Sequence, residues 1–155
     1  MQVVKSRVMR HYRSILALAL AFVTAFLVSC SSPTSTKTLT YSPTQIERIQ
    51  SYASSITALR SRMPELATLI ENREWIDVRG FIHGPLGELR LRMGNLARNL
   101  LPDAQGQARQ AAQDIFTHLE EIDEAAQNGD YRQAIRNYAE ALKDFDSFFQ
   151  LVPNS

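Results

Sequence analysis

The chain has 155 residues, 45% hydrophobic and 21% charged, with a formal net charge of +1, and this length suits one domain. Lys5, Arg7, Arg10 and Arg13 face no acid in residues 1–29; without them 13 Lys and Arg stand against 16 Asp and Glu, about −3 for the remainder. A mildly acidic body with a single Trp argues against nucleic-acid binding, which needs a net basic footprint, and a lone Cys excludes an internal disulfide.

Residues 1–29 read as a targeting segment. A basic stretch, Lys5 to Arg13, precedes an apolar run of 14 residues, 15–28. That run fits the apolar region of a signal peptide and is short of the ~20 residues a span needs. It ends in Leu27-Val28-Ser29-Cys30, which resembles the bacterial lipobox, where the Cys thiol is acylated and the Cys becomes the new N-terminus. An ordinary signal peptide with an incidental Cys, or a short uncleaved anchor, would look similar. Cys30 is thus the expected lipidation site, and two acyl chains anchor a protein stably to a membrane. Residues 30–41 comprise this Cys and a polar tether, 31–41, whose coil reach is roughly 18 Å.

Residues 42–155 read as four helices. Ser42 is a candidate N-cap, with Pro43 at the first helical position and Gln45 two further on. Ile46, Ile49, Tyr52 or Ala53, Ile56, Leu59, Met63, Leu66 and Leu69 or Ile70 follow at helical spacing, and Pro64 should kink or split the helix. In the second helix Trp75, Val78, Ile82, Leu86, Leu89, Met93, Leu96 and Leu100 fall within about 80° of arc. The stripe crosses Gly84-Pro85 in phase, which predicts a kinked helix or two coaxial pieces with a break before Pro85. Gly80, Gly84, Gly87 and Gly94 share one side, and Arg79, His83 and Arg90 lie between it and the stripe. Helical glycines cost ~1 kcal/mol each, so the glycine side predicts close approach of another backbone, from the same bundle or from a partner.

The third helix follows Leu101-Pro102, with Asp103 as the expected N-cap, and carries Ala104, Ala108, Ala111, Ala112, Ile115, Leu119, Ile122 and Ala126. Asn128-Gly129-Asp130 reads as a turn, Gly129 ending one helix and Asp130 capping the next. The fourth helix buries Tyr131, Ala134, Ile135, Tyr138, Ala141, Leu142, Phe145, Phe148 and Phe149 and stops at Val152-Pro153. Its start is similar to half a tetratricopeptide repeat, but no second copy at the ~34-residue period exists in the sequence. The expectation is an all-α protein, an up-down-up-down four-helix bundle over residues 42–155.

No nucleotide-binding, zinc-protease or nucleophile-elbow pattern occurs in the sequence. No catalytic residue and no cofactor are expected. Asp114, His118 and Glu121 share a helix face and read as a solvated acidic face with one titratable His, with a weak metal site as the lesser alternative; zinc prefers three strong ligands. Glu120, Glu121, Asp123 and Glu124 read as solvated carboxylates, and His83 as a packing or hydrogen-bonding residue.

The stretch Arg79-Gly80-Phe81-Ile82-His83-Gly84-Pro85-Leu86-Gly87-Glu88-Leu89-Arg90, with Met93-Gly94-Asn95-Leu96, resembles the PsbQ family of extrinsic lumenal photosystem II proteins. Met63-Pro64-Glu65-Leu66 and Trp75 fit the same resemblance, and the lipobox points to the cyanobacterial branch, thylakoid lumenal lipoproteins. The family's fold is a four-helix bundle. The sequence lacks the proline-rich N-terminal arm of the plant proteins, so docking through such an arm is not expected.

The resemblance implies a non-catalytic subunit on the lumenal face of photosystem II. Such a subunit stabilises the oxygen-evolving complex, supports calcium and chloride retention and favours the assembled or dimeric complex. Its neighbours would be PsbO and the inner antenna proteins. Arg79, His83, Arg90, Arg92 and Arg98 are the expected docking residues. The rival expectations are a membrane-anchored helical adaptor lipoprotein in an envelope complex and a weak metal-binding bundle.

Overall fold

The computed structural model describes residues 39–154. The expected leader, Cys30 and most of the tether lie outside them. The described residues contain no strand and form six helices: α1 Pro43–Arg60, α2 Met63–Glu71, α3 Trp75–His83, α4 Leu89–Asn99, α5 Pro102–Asn128 and α6 Tyr131–Gln150. Each of the first two expected helices is therefore a pair.

The split between α1 and α2 falls at residues 61–62, just upstream of Pro64. Pro64 thereby sits in the first turn of α2, where its missing N–H has no intrahelical partner to lose. Arg62 and Glu65 close this turn with two hydrogen bonds, Nε–Oε1 3.0 Å and Nη2–Oε2 2.8 Å. They hold the Glu65 carboxyl below its ordinary range.

At its other end α2 stops in a left-handed residue, Arg73 at φ 58°. The Arg73 N–H bonds the Ile70 carbonyl (3.0 Å) and the Glu74 N–H bonds the Leu69 carbonyl (2.9 Å), so the last carbonyls of α2 are satisfied. Glycine is the usual residue here, which is why the sequence carries no signal for this stop.

The expected caps of α1 and α6 form. Ser42 Oγ accepts from the Gln45 N–H (3.2 Å) and Asp130 Oδ1 from the Gln133 N–H (3.0 Å). The Gln45 side chain leaves the cap, however, and its Nε2 donates to the Asn99 carbonyl at 2.7 Å, tying the start of α1 to the end of α4.

The expected N-cap Asp103 is corrected to Leu101. Leu101 is extended (φ −60°, ψ 149°) and Pro102 opens α5. A residue before proline is driven out of the helical region, so the helix starts two residues earlier than expected and Asp103 falls in the first turn. Gly129, at φ 70°, ends α5 as expected.

The helices pair in space as α1 with α4, α2 with α3 and α6, α3 and α4 with α5, and α5 with α6. Ile49, Ile56, Leu66, Ile70, Val78, Met93, Leu96, Ile115, Ile122, Phe145 and Phe148 are fully buried between them.

Two further aromatics join the core from outside the predicted stripes, Phe81 and Phe116, 7% and 8% exposed. Each is roofed by an arginine: Arg62 lies 5.1 Å above the Phe81 ring and Arg90 4.3 Å above the Phe116 ring. A guanidinium covers an aromatic face while keeping its charge in water, so the apolar stripe can end at a cation.

Candidate functional site

The site begins with the break in the second expected helix. Residues 84–88 form turns between α3 and α4. The Leu86 N–H reaches back to the Phe81 carbonyl at 3.1 Å, and the Leu86 side chain stays buried. The apolar stripe thus survives the break because the turn folds Leu86 inward.

Gly84 and Gly87 answer to this turn, and none of the four glycines meets the backbone of a neighbouring helix, which corrects the expected close approach within the bundle. A Cβ on Gly84 would stand 2.8 Å from the Gly80 carbonyl oxygen, and one on Gly87 2.7 Å from the His83 carbonyl oxygen. Both obstacles are local backbone. A Cβ on Gly80 would meet nothing within 4 Å, and one on Gly94 only the Arg98 guanidinium at 3.6 Å.

Between this turn and α5 lies a groove of about 290 Å³. Ile82, Leu86, Phe116 and Leu119 give it apolar walls, and His83, Gly87, Arg90, Glu120 and Asp123 complete its lining. Two polar clasps cross it. His83 Nε2 lies 2.9 Å from Asp123 Oδ1, and Arg79 Nε donates to the same oxygen at 3.2 Å. Arg90 Nη2 donates to Glu120 Oε1 at 2.9 Å.

Glu120 and Asp123 stand three residues apart, on one face of α5. They hold α3 and α4 to α5 on either side of the break; Asp123 is drawn in where a solvated carboxylate was expected, while Glu120 pairs with Arg90 and stays exposed to solvent as expected. With Asp123 ionised, Nε2 of a neutral His83 must carry the proton.

Asp123 is 19% exposed and His83 67%, so the carboxylate is committed inward while the ring faces solvent. Arg79 and Arg90 each use a single nitrogen in these clasps, and their other N–H groups point to no acceptor among the described residues.

The five expected docking residues do not form one patch. Arg79, His83 and Arg90 come together at the groove. Arg92 pairs with Glu88, the residue just before α4. Arg98 bonds the Asn95 side chain and lines a separate hollow with Ser42, Thr44, Gln45, Arg48 and Asn99.

The expected metal trio is also dispersed among other partners. Asp114 accepts from Gln110 Nε2 at 2.8 Å, and His118 Nδ1 meets Asp144 Oδ2 of α6 at 2.6 Å. Among the described residues no group of three or more His, Asp or Glu side chains is arranged to hold a metal ion. No described helix is long and apolar enough to cross a membrane.

Comparison with known proteins extends the resemblance at residues 79–96 to nearly the whole chain: residues 2–153 match the model of PsbQ, oxygen evolving enhancer protein 3. The chain belongs to the PsbQ family. It is 45% identical over 148 residues to CyanoQ of Synechocystis sp., covering 95% of this chain and 99% of that protein. Membership of the PsbQ family supports the coarse class expected from the sequence, an extrinsic subunit of photosystem II.

Sequence reasoning missed Phe116, Glu120 and Asp123 as parts of the site. A signal existed: the acids at 120 and 123 repeat the near-one-turn spacing of Arg79 and His83. Only the packing of α3 and α4 against α5 says that Asp123 meets Arg79 and His83 and that Glu120 meets Arg90.

Proposed function

We propose that this PsbQ-family protein is a non-catalytic extrinsic subunit on the lumenal face of photosystem II, lipid-anchored to the thylakoid membrane through Cys30. There it stabilises the oxygen-evolving complex and the assembled or dimeric photosystem, and supports retention of calcium and chloride. PsbO and the inner antenna proteins are its neighbours. Support comes from the family match over nearly the whole chain and the identity with CyanoQ.

The fold reading accompanying this proposal is an up-down-up-down bundle whose first two rods are each broken once. Its support is the pairing of α1 with α4 and of α2 with α3, the pattern of two antiparallel neighbours.

The observation that carries the docking face is the groove rim. Arg79 and Arg90 have unused guanidinium donors beside the exposed His83 and an apolar hollow. Spare cationic donors next to apolar walls suit a partner surface with carboxylates, and such complementarity orients and speeds docking more than it adds affinity. Lipid on Cys30 would raise the local concentration. Arg92 belongs to the same proposal as an outlying position, whereas Arg98 lines a separate hollow away from the groove.

The test is co-purification of tagged variants with photosystem II. Arg79→Glu with Arg90→Glu should abolish retention while circular dichroism stays helical. Undiminished retention by a folded double variant would remove the groove rim from the docking face. Oxygen evolution of the bound complex in calcium- and chloride-poor medium tests the stabilising role.

A further inference from the structure

The structure points to a second surface, at the end of the domain where the described chain begins: we infer that Arg48 and Arg98 face an anionic lipid bilayer. The inference rests on the lipid-anchor reading of Cys30. Two bonds hold the first described residues to the corner between α4 and α5. The Leu101 N–H donates to Tyr41 Oη at 3.2 Å, and Gln45 Nε2 to the Asn99 carbonyl at 2.7 Å. The tether expected between Cys30 and Tyr41 would have a coil reach of roughly 18 Å, so an acyl anchor at Cys30 would keep this corner beside the membrane.

Charge at this corner suits such a surface. Arg48 and Arg98 line one hollow with Ser42, Thr44 and Asn99. Neither forms an ion pair with a described carboxylate, in contrast to Arg60, Arg62, Arg79, Arg90 and Arg92; Arg73, Arg109, Arg132 and Arg136 are likewise without one, and it is the place beside Tyr41 and the tether that sets Arg48 and Arg98 apart. Residues 110–155 carry nine acids against three basic residues, so an anionic surface repels that C-terminal third and attracts this end. Glu47 and Asp103 lie nearby and moderate the attraction. A lipid surface needs no shape complementarity, and juxtamembrane cations gain ~1 kcal/mol each there, about fivefold in partitioning.

The test uses the chain from residue 30 with Cys30→Ser, unlipidated, and phosphatidylcholine vesicles with or without phosphatidylglycerol. The protein should sediment with the phosphatidylglycerol vesicles alone, and salt should release it. Arg48→Gln with Arg98→Gln should weaken this binding more than tenfold. Arg132→Gln with Arg136→Gln removes the same charge at the start of α6, about 40 Å away along α5, and should leave binding unchanged. Equal weakening by both pairs, or no binding to phosphatidylglycerol vesicles, overturns the inference. Lipidated protein on pure phosphatidylcholine tests the anchor separately: absence from those vesicles sinks the anchor reading and leaves the arginine result standing by itself.

Discussion

Arg90 lays its guanidinium 4.3 Å above the ring of Phe116, and through this contact α4 grips α5 at the groove. The same guanidinium bonds Glu120. Arg90→Ala should therefore lower stability by about 1 kcal/mol, most of it the cation–ring contact, since an exposed ion pair contributes little. Urea unfolding followed by circular dichroism measures it. Glu120→Gln should cost clearly less; an equal cost would mean that the ion pair and not the ring contact dominates.

The glycines at the break separate geometry from surface. Gly80→Ala should raise stability by about 0.5–1 kcal/mol, because the new methyl meets nothing and glycine is the poorer helix former. Gly87→Ala should lower it by about 1–3 kcal/mol, because the methyl meets the His83 carbonyl and the turn must shift. Thermal midpoints of the two variants should move in opposite directions.

Gln45→Ala removes the 2.7 Å bond to the Asn99 carbonyl while leaving the Ser42 cap intact. A loss of about 1 kcal/mol is expected. Hydrogen exchange should report it as faster opening at the start of α1 and the end of α4, with α6 unaffected.

Tyr138 gives a pH signature. Burial, then the nearby Glu71 charge, pushes its phenol above the ordinary 10.0, with Arg60 opposing. The folded state holds this proton more tightly than the unfolded one. Stability is therefore unaffected below pH 10 and falls as pH rises above it. Tyrosinate absorbance should show one phenol titrating late, absent in Tyr138→Phe, and the variant should lose less stability at alkaline pH.

Much of this molecule could be read locally. Helical periods, the Ser42 and Asp130 caps and the Gly129 stop depend on neighbours within one turn, so sequence spacing reports them. The stop at Arg73 was invisible because arginine carries no bias toward the left-handed conformation it adopts there. The start of α5 was misplaced by two residues because the pressure of Pro102 on Leu101 outweighed the capping preference of Asp103.

The sequence by itself determined the all-helical class, the apolar stripe from Trp75 to Leu100 and the family, because each is written in residue order. Only the tertiary structure decided what the arginines and glycines of residues 79–98 do. Their partners, Phe116, Glu120 and Asp123, lie 26 to 44 residues further on in the chain for Arg79, His83 and Arg90. Packing against α5 gathers three of the five expected docking residues at one groove, leaves Arg92 on Glu88 and sends Arg98 to the opposite corner beside Arg48. Side chains on one helix can face different neighbours, and spacing along a chain does not say which neighbour arrives.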